Sequence, residues 1–203
     1  MTEVLIVLAC AAGAYLVGSV SPSVFLGRLV KGVDVREHGS GNAGATNAFR
    51  VLGTPLGVVV LAADVLKGFL PVLLTARYVG NPSVTVLVAM AVIAGHNWSV
   101  FLKGKGGKGV ATGAGVILAM MPMIIAILVA VFAVVLVLTS TVSIASLIAT
   151  MLFPVLTIAT AQPLAYVIFS LLGSAVVIYG HRGNIKRLLR REEPRVRLPW
   201  TPR

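Results

Sequence analysis

Residues 102–112 contain the densest group of atoms in the chain that could bind an anion. Three lysines alternate with four glycines before a threonine, in the order Leu-Lys-Gly-Lys-Gly-Gly-Lys-Gly-Val-Ala-Thr. Glycine permits positive φ and lets amide N–H groups approach an anion, and lysine adds positive charge. An apolar run begins at Val110, so this glycine–lysine loop is predicted to lead into a helix N-terminus, which favours phosphate. The predicted anion-binding residues are Lys105, Gly106, Gly107, Lys108, Gly109 and Thr112.

The composition excludes a soluble domain, since 58% of the residues are hydrophobic and only 11% are charged. Residues 110–180 contain no Asp, Glu, Lys or Arg, which leaves room for three or four membrane spans of about 20 residues each. Cys10 is the only cysteine and the three histidines are far apart, so a disulfide and a metal site are not expected. No cofactor is predicted.

The net charge of +11 lies almost entirely in three short segments, residues 28–50, 103–108 and 182–203. Basic segments between apolar runs are typical of cytoplasmic loops, and they attract anionic lipid headgroups. This pattern favours a membrane partner and argues against nucleic acid. The glycine–lysine loop therefore has a plainer interpretation as well, a basic connector that only sets membrane orientation. It is not a Walker A loop, because neither of its Gly-Lys pairs is followed by Ser or Thr.

Charge placement predicts an all-α, polytopic helical bundle with about seven transmembrane helices, the N-terminus outside and the C-terminus cytoplasmic. The first three spans are expected within residues 4–26, 51–76 and 84–101, the first weakened near Ser19 and Pro22. Breaks near residues 121–122, 139–141 and 161–163 divide the remainder into four pieces, and five spans is the alternative. Residues 1–190 are predicted to form one transmembrane domain. Residues 191–203 are predicted to be a basic, proline-containing cytoplasmic tail that is solvated or touches lipid.

A polar loop between the first two spans is rich in small hydroxyl and amide side chains. Its candidate ligand-binding residues are Ser40, Asn42, Thr46, Asn47 and Arg50. If a helix resumes near Ala45, Thr46 and Arg50 share one of its faces. Such residues are also common in plain connectors, so the composition leaves both interpretations open.

Two charged residues, Asp64 and Lys67, lie inside the predicted second span. Charges within a span are costly, so they pair or face a polar interior. A structural ion pair is the favoured interpretation and a catalytic role is the alternative.

Two polar pairs lie near the predicted inner ends of later spans. Ser143 and Ser146 are three residues apart and share a helical face, as do His181 and Asn184. Helix packing could account for the serines, and an interfacial histidine is commonly a satisfied polar residue. The predicted topology nevertheless brings all these polar clusters to one membrane face, where cations, amides, hydroxyls and one imidazole would suit a substrate with two anionic groups.

These motifs, taken in order, resemble the bacterial family of acyl-phosphate:glycerol-3-phosphate acyltransferases. The similar stretches are Gly18-Ser19, Asp34-Val35-Arg36, residues 39–47 with Arg50, Asp64 with Lys67-Gly68, Gly95-His96, Phe101-Leu102, residues 105–112, Ser143 with Ser146, and His181 with Asn184. The resemblance extends from the first span to about Leu189. Where family members often have proline, this chain has Ser99.

The resemblance implies a seven-helix membrane enzyme that transfers a fatty acyl group from long-chain acyl phosphate to the sn-1 hydroxyl of glycerol 3-phosphate. The product would be lysophosphatidic acid, the active site would face the cytoplasm, and the soluble enzyme that makes acyl phosphate could be a partner. Family roles fall on Ser40, Thr46, Arg50, Lys108, Ser143, Ser146, His181 and Asn184. Of these, His181, Lys108 and Ser40 are the candidate catalytic residues.

The residues leave two mechanistic questions open. Either His181 or a phosphate oxygen of the substrate could take the proton from the attacking hydroxyl. A transporter of a phosphorylated solute and a membrane acyltransferase that uses acyl-CoA are alternative functions. The His-x4-Asp motif of acyl-CoA enzymes is absent, since residues 43, 101 and 186, five positions after each histidine, are Ala, Phe and Lys.

Overall fold

Ten α-helices form the structure over residues 2–196, the part of the chain that the computed structural model describes. Contacts divide the chain into two compact units, one ending at Met121 and the other beginning at Pro122. The first unit contains α1 (Thr2–Ser19), α2 (Pro22–Lys31), α3 (Ala45–Leu52), α4 (Thr54–Tyr78), α5 (Pro82–Asn97) and α6 (Val110–Met120). The second contains α7 (Pro122–Thr139), α8 (Val142–Ala159), α9 (Leu164–Gly180) and α10 (Arg182–Leu189). The predicted all-α class is confirmed.

Several helices are long and apolar enough to cross a membrane. Five helical segments among the described residues meet this condition, and a sixth does if α9 and α10, which meet at a bend of 56°, form one span. Helix α6 is apolar but shorter than a full span. A multi-pass membrane protein is therefore supported, while the count of seven spans stays a prediction.

The boundaries from α6 to α9 follow the breaks expected from the sequence. Helix α6 ends at Met120 and α7 begins at Pro122, where proline suits the first turn because it lacks an N–H group. Where a weakening near Ser19 was predicted, residues 20–21 interrupt the helix and α2 starts at Pro22, although α1 and α2 together make one of the five segments. The hydroxyl of Ser99, the residue that departs from the family pattern, donates to the carbonyl of Ser19 at 2.6 Å.

Glycines allow the helices of the first unit to approach each other closely. A Cβ at Gly68 of α4 would collide with the carbonyl oxygen of Thr112 in α6, and one at Gly115 would collide with that of Val65. Small residues serve this purpose in membrane helices, where dispersion rather than the hydrophobic effect drives association. The start of α6, and with it the end of the glycine–lysine loop, is thereby fixed against α4.

A compact apolar cluster anchors the first polar loop. Val35 of the loop is fully buried with Val24 of α2, Ala48 and Leu52 of α3, and Val60 of α4. Burial of each large aliphatic side chain contributes about 1.5–3 kcal/mol. The loop is therefore held at its base by its own apolar residues.

The second unit is built on contacts of α8 with α7 and with α9. Phe153 and Phe169 meet edge to face with ring centroids 5.9 Å apart, and Ser174 donates to the carbonyl of Thr150 at 2.9 Å. The amide of Val196 donates to the carbonyl of Ser140 at 2.7 Å. The start of the predicted tail thus packs on this unit, whereas residues 197–203 of that tail lie outside the described residues.

Candidate active site

Asn47 organises the first polar loop from within. Its side chain is buried, and its Nδ2 donates to the carbonyls of Val35 at 2.7 Å and His38 at 3.1 Å. Its Oδ1 accepts a hydrogen bond from the amide of Ser40 at 2.8 Å. Asn47 was predicted to bind substrate, but in this structure its polar atoms hold the loop. Ser40 itself is exposed.

An ion-pair network closes the other end of this loop. Both carboxylate oxygens of Asp34 accept hydrogen bonds from the guanidinium of Arg36, at 3.0 and 2.7 Å. Arg28 also binds the carboxylate of Asp34, at 2.8 Å. The hydrogen bond from Arg36, helped by its backbone amide and by Arg28, holds the pKa of Asp34 well below its usual range. This carboxylate is therefore ionised and occupied by arginine, which suits a structural role.

Helix α3 presents the predicted phosphate-gripping residue. It begins at Ala45, as expected, so Thr46 and Arg50 lie on one face. Arg50 is exposed and Thr46 is partly buried. No described residue forms an ion pair with Arg50, so its planar guanidinium can bind a phosphate through two hydrogen bonds.

The glycine–lysine loop is held by main-chain hydrogen bonds to the end of α5. The amides of Gly106 and Gly107 donate to the carbonyls of Asn97 and His96, at 3.2 and 2.9 Å. These two amides therefore serve the fold, whereas the sequence analysis assigned the glycine amides to an anion. Lys105 is exposed and Lys108 is partly buried. Helix α6 starts at Val110, so Lys108 lies just before a helix N-terminus, as predicted.

The first polar loop and the glycine–lysine loop meet. The side-chain amide of Asn42 donates to the carbonyl of Gly106 at 3.5 Å, while its Oδ1 accepts from the amide of Gly44 at 3.0 Å. Gly109, with φ of +83°, packs near the Asn97 side chain. Thr112 is fully buried, and its substrate contact stays a prediction.

The charged pair inside the second predicted span forms the expected ion pair. Lys67 Nζ lies 2.8 Å from Asp64 Oδ1, and Nζ also donates to the carbonyl of Val20 at 2.7 Å. His96 Nδ1 lies 3.5 Å from the same carboxylate oxygen. All three charged or titratable side chains are buried. The sequence analysis did not connect His96 to this pair, because His96 lies 32 positions after Asp64 in the chain.

In the second unit, the bend between α9 and α10 places the predicted base. His181 is 3% exposed, and its Nδ1 lies 2.8 Å from the carbonyl oxygen of Val177. A carbonyl only accepts, so Nδ1 carries a proton and donates it to Val177. Ser143 and Ser146, three residues apart on α8, are both buried.

A carboxylate that the sequence analysis missed joins two of the predicted residues. Glu193 Oε1 accepts from Ser143 Oγ at 2.8 Å and from Asn184 Nδ2 at 2.6 Å, and Oε2 accepts from Arg187 Nε at 2.7 Å. Burial opposes ionisation of Glu193, but these hydrogen bonds outweigh it and lower its pKa. The available signal was that Glu192 and Glu193 are the only acidic residues of a basic tail. For Glu193, the prediction of a solvated or lipid-touching tail is wrong, since its side chain is 5% exposed.

Comparisons with known proteins decide the family. Residues 8–191 match the family model described as glycerol-3-phosphate acyltransferase. The chain belongs to this family. It is therefore an acyltransferase, and the transporter alternative is wrong.

Individual relatives align with this acyltransferase along nearly the whole chain. It is 45% identical to a glycerol-3-phosphate acyltransferase of Bacillus velezensis over 184 residues, which cover 91% of this chain and 94% of that protein. The corresponding protein of Bacillus subtilis is 42% identical over 185 residues, with coverage of 91% and 94%. Two crystal structures of PlsY (YgiH), an integral membrane glycerol 3-phosphate acyltransferase, have the same fold. The glycerol 3-phosphate form has a TM-score of 0.91 at 38% identity, covering 94% of this chain and 96% of that one. The lysophosphatidic acid form has a TM-score of 0.88 at 37% identity, covering 93% and 94%.

Proposed function

We propose that this acyltransferase takes its acyl group from acyl phosphate and transfers it to the sn-1 hydroxyl of glycerol 3-phosphate. The hydroxyl oxygen attacks the acyl carbonyl carbon, the bond from that carbon to the phosphate oxygen breaks, and the hydroxyl proton passes to a base. The products are lysophosphatidic acid and inorganic phosphate. The related crystal forms with glycerol 3-phosphate and lysophosphatidic acid support the acceptor and the product.

The observation that carries the proposal is the junction of the two cationic loops. Asn42 of the first loop reaches the carbonyl of Gly106 in the second, so cations of both loops belong to one region of the first unit. In this proposal Arg50 grips one phosphate bidentately, and Lys108, at the N-terminus of α6, neutralises charge on the acyl phosphate and the developing oxyanion. Phosphate is a good leaving group, so positioning supplies much of the rate acceleration.

His181 is the proposed protein base. Its Nδ1 is held by the Val177 carbonyl, and in this proposal Nε2 takes the proton of the attacking hydroxyl. The alternative base is a phosphate oxygen of the substrate. His181→Gln separates the two: loss of a general base lowers kcat by roughly 10²–10⁴-fold and removes the acidic limb of the pH profile. A retained acidic limb in the variant would assign the proton to the substrate.

The donor is tested by comparing acyl phosphate and acyl-CoA at equal concentration with purified protein and labelled glycerol 3-phosphate, in the presence of EDTA. We expect a lipid product with acyl phosphate and none with acyl-CoA, because the short loops offer no evident site for a nucleotide handle. Comparable turnover with acyl-CoA would overturn the donor assignment. Loss of turnover in EDTA would show that a metal takes part.

We also propose seven spans with the N-terminus outside and the active site cytoplasmic, where a soluble acyl-phosphate-forming enzyme could deliver its product. Two exposed positions test the orientation in a Cys10→Ala background. Tyr78→Cys, at the end of α4, should react with an impermeant thiol reagent on intact cells. Glu37→Cys, in the first polar loop, should react only after the cytoplasmic side is opened, and labelling of this variant on intact cells would reverse the topology.

A further inference from the structure

The two central glycines of the glycine–lysine loop lie against the end of α5. Neither Gly106 nor Gly107 has a positive φ, in contrast to Gly104 and Gly109, so backbone conformation does not require glycine at these two positions. Space does. A Cβ at Gly106 would collide with the carbonyl oxygen of His96, and a Cβ at Gly107 would collide with the His96 imidazole at Nε2. The first obstacle is backbone and the second is a side chain.

The imidazole of His96 has little freedom to move away. Its side chain is 5% exposed, and the buried carboxylate of Asp64 lies 3.5 Å from Nδ1 on the side of α4. Asp64 is in turn bound to Lys67, whose Nζ donates to the carbonyl of Val20. The ring is thus held between α4 and the loop, with Nδ1 toward the carboxylate and Nε2 toward Gly107.

We propose that His96 is a positioning residue for the reaction. Its imidazole lies against Gly107 and so fixes the position of Gly107 and of the next residue, Lys108. His96 touches no substrate in this arrangement and acts through the loop. The inference depends on the proposed function, in which Lys108 holds a substrate phosphate. A displacement of about 1 Å at such a contact costs on the order of a hundredfold in rate.

A rescue experiment tests the contact between Gly107 and the ring. Gly107→Ala should lower kcat/KM by roughly a hundredfold, because the methyl group lifts the loop off the imidazole. Removing the ring with His96→Ala makes room for that methyl group. The double variant should regain at least about tenfold over Gly107→Ala alone, within the range of coupling energies of residues in contact.

Gly106→Ala is the matched control. Its methyl group meets the backbone carbonyl of residue 96, which no side-chain change at that position removes. His96→Ala should therefore rescue Gly107→Ala and leave Gly106→Ala impaired. Equal rescue of both variants, or of neither, would overturn the proposal. If Gly107→Ala does not accumulate as folded protein, the amount of folded protein becomes the readout. His96→Ala should then restore folded protein for Gly107→Ala and not for Gly106→Ala.

Two further measurements separate positioning from general stability and from the proposed function. The first is His96→Ala alone, which should raise KM for a phosphate substrate. A merely structural histidine would instead lower the thermal unfolding temperature and leave KM unchanged. Lys108→Ala serves as the second. If that variant is fully active, the assignment of the loop to substrate is wrong. If Lys108→Ala is inactive and His96→Ala fails to rescue Gly107→Ala, only the positioning role of His96 is wrong.

Discussion

The glycine–lysine loop and the cluster around Glu193 are both polar sites in an apolar chain, but different atoms hold them in place. Main-chain hydrogen bonds from Gly106 and Gly107 fix the loop. In the second unit, one carboxylate collects donors from α8 and α10. The comparison teaches that a site held by backbone can lose a side chain without losing its shape, whereas a site held by one side chain cannot.

The largest expected effect is on chemistry at the loop. Lys108→Ala should lower kcat/KM by at least about a hundredfold, the scale of removing one preorganised charge-stabilising group. The hydrogen bonds of the loop backbone remain in this variant. Lys103→Ala, an exposed neighbour with the same change in charge, is the control in the same acyl-transfer assay. Wild-type activity in Lys108→Ala would reduce the loop to a determinant of membrane orientation.

The Glu193 cluster should respond in the opposite way, with stability lost first. Glu193→Gln removes the charge that three donors share and should destabilise the protein by about 2 kcal/mol, typical of a hydrogen bond to a charged group. Thermal unfolding in detergent measures it. Glu192→Gln makes the same chemical change at an exposed neighbour and should have no measurable effect. Identical unfolding temperatures for the two variants would mean that Glu193 does not hold the cluster.

A smaller effect is expected at Arg50, where charge is kept and geometry is lost. Arg50→Lys should raise KM for glycerol 3-phosphate about tenfold, since lysine cannot make the two-pronged contact of a guanidinium. Initial rates at varied glycerol 3-phosphate give the value, and Arg77→Lys, at the far end of α4, is the control. An unchanged KM would remove Arg50 from the phosphate site.

The smallest effect is the contribution of the second site to the pH dependence of stability. Because its donors lower the pKa of Glu193, the ionised carboxylate stabilises the folded state. That contribution is complete above the ordinary pKa of a glutamate and is lost as the pH falls through the lowered value in the folded protein. Unfolding temperatures measured from neutral to acidic pH should therefore fall more steeply for wild type than for Glu193→Gln. Parallel curves would contradict the assignment.

Local pattern predicted several of the helix boundaries. Pro122 and the polar residues near 140 and 162 predicted where helices end, because a helix boundary depends on residues within a turn of it, whereas Pro22 predicted only a weakened helix. The glycines and lysines of residues 102–112 likewise predicted an anion-binding segment that leads into a helix, and α6 does begin at Val110. The family resemblance added the assignment of His181 and Asn184.

Only the tertiary structure decided which polar atoms serve the fold. Asn47 holds its loop, His96 lies beneath Gly107, and Glu193 joins Ser143 to Asn184. Each of these contacts links residues whose meeting depends on the path of the backbone, and no periodicity in the sequence records that path. A sequence shows which side chains could bind an anion, but the packing of helices and loops decides which of them are already occupied.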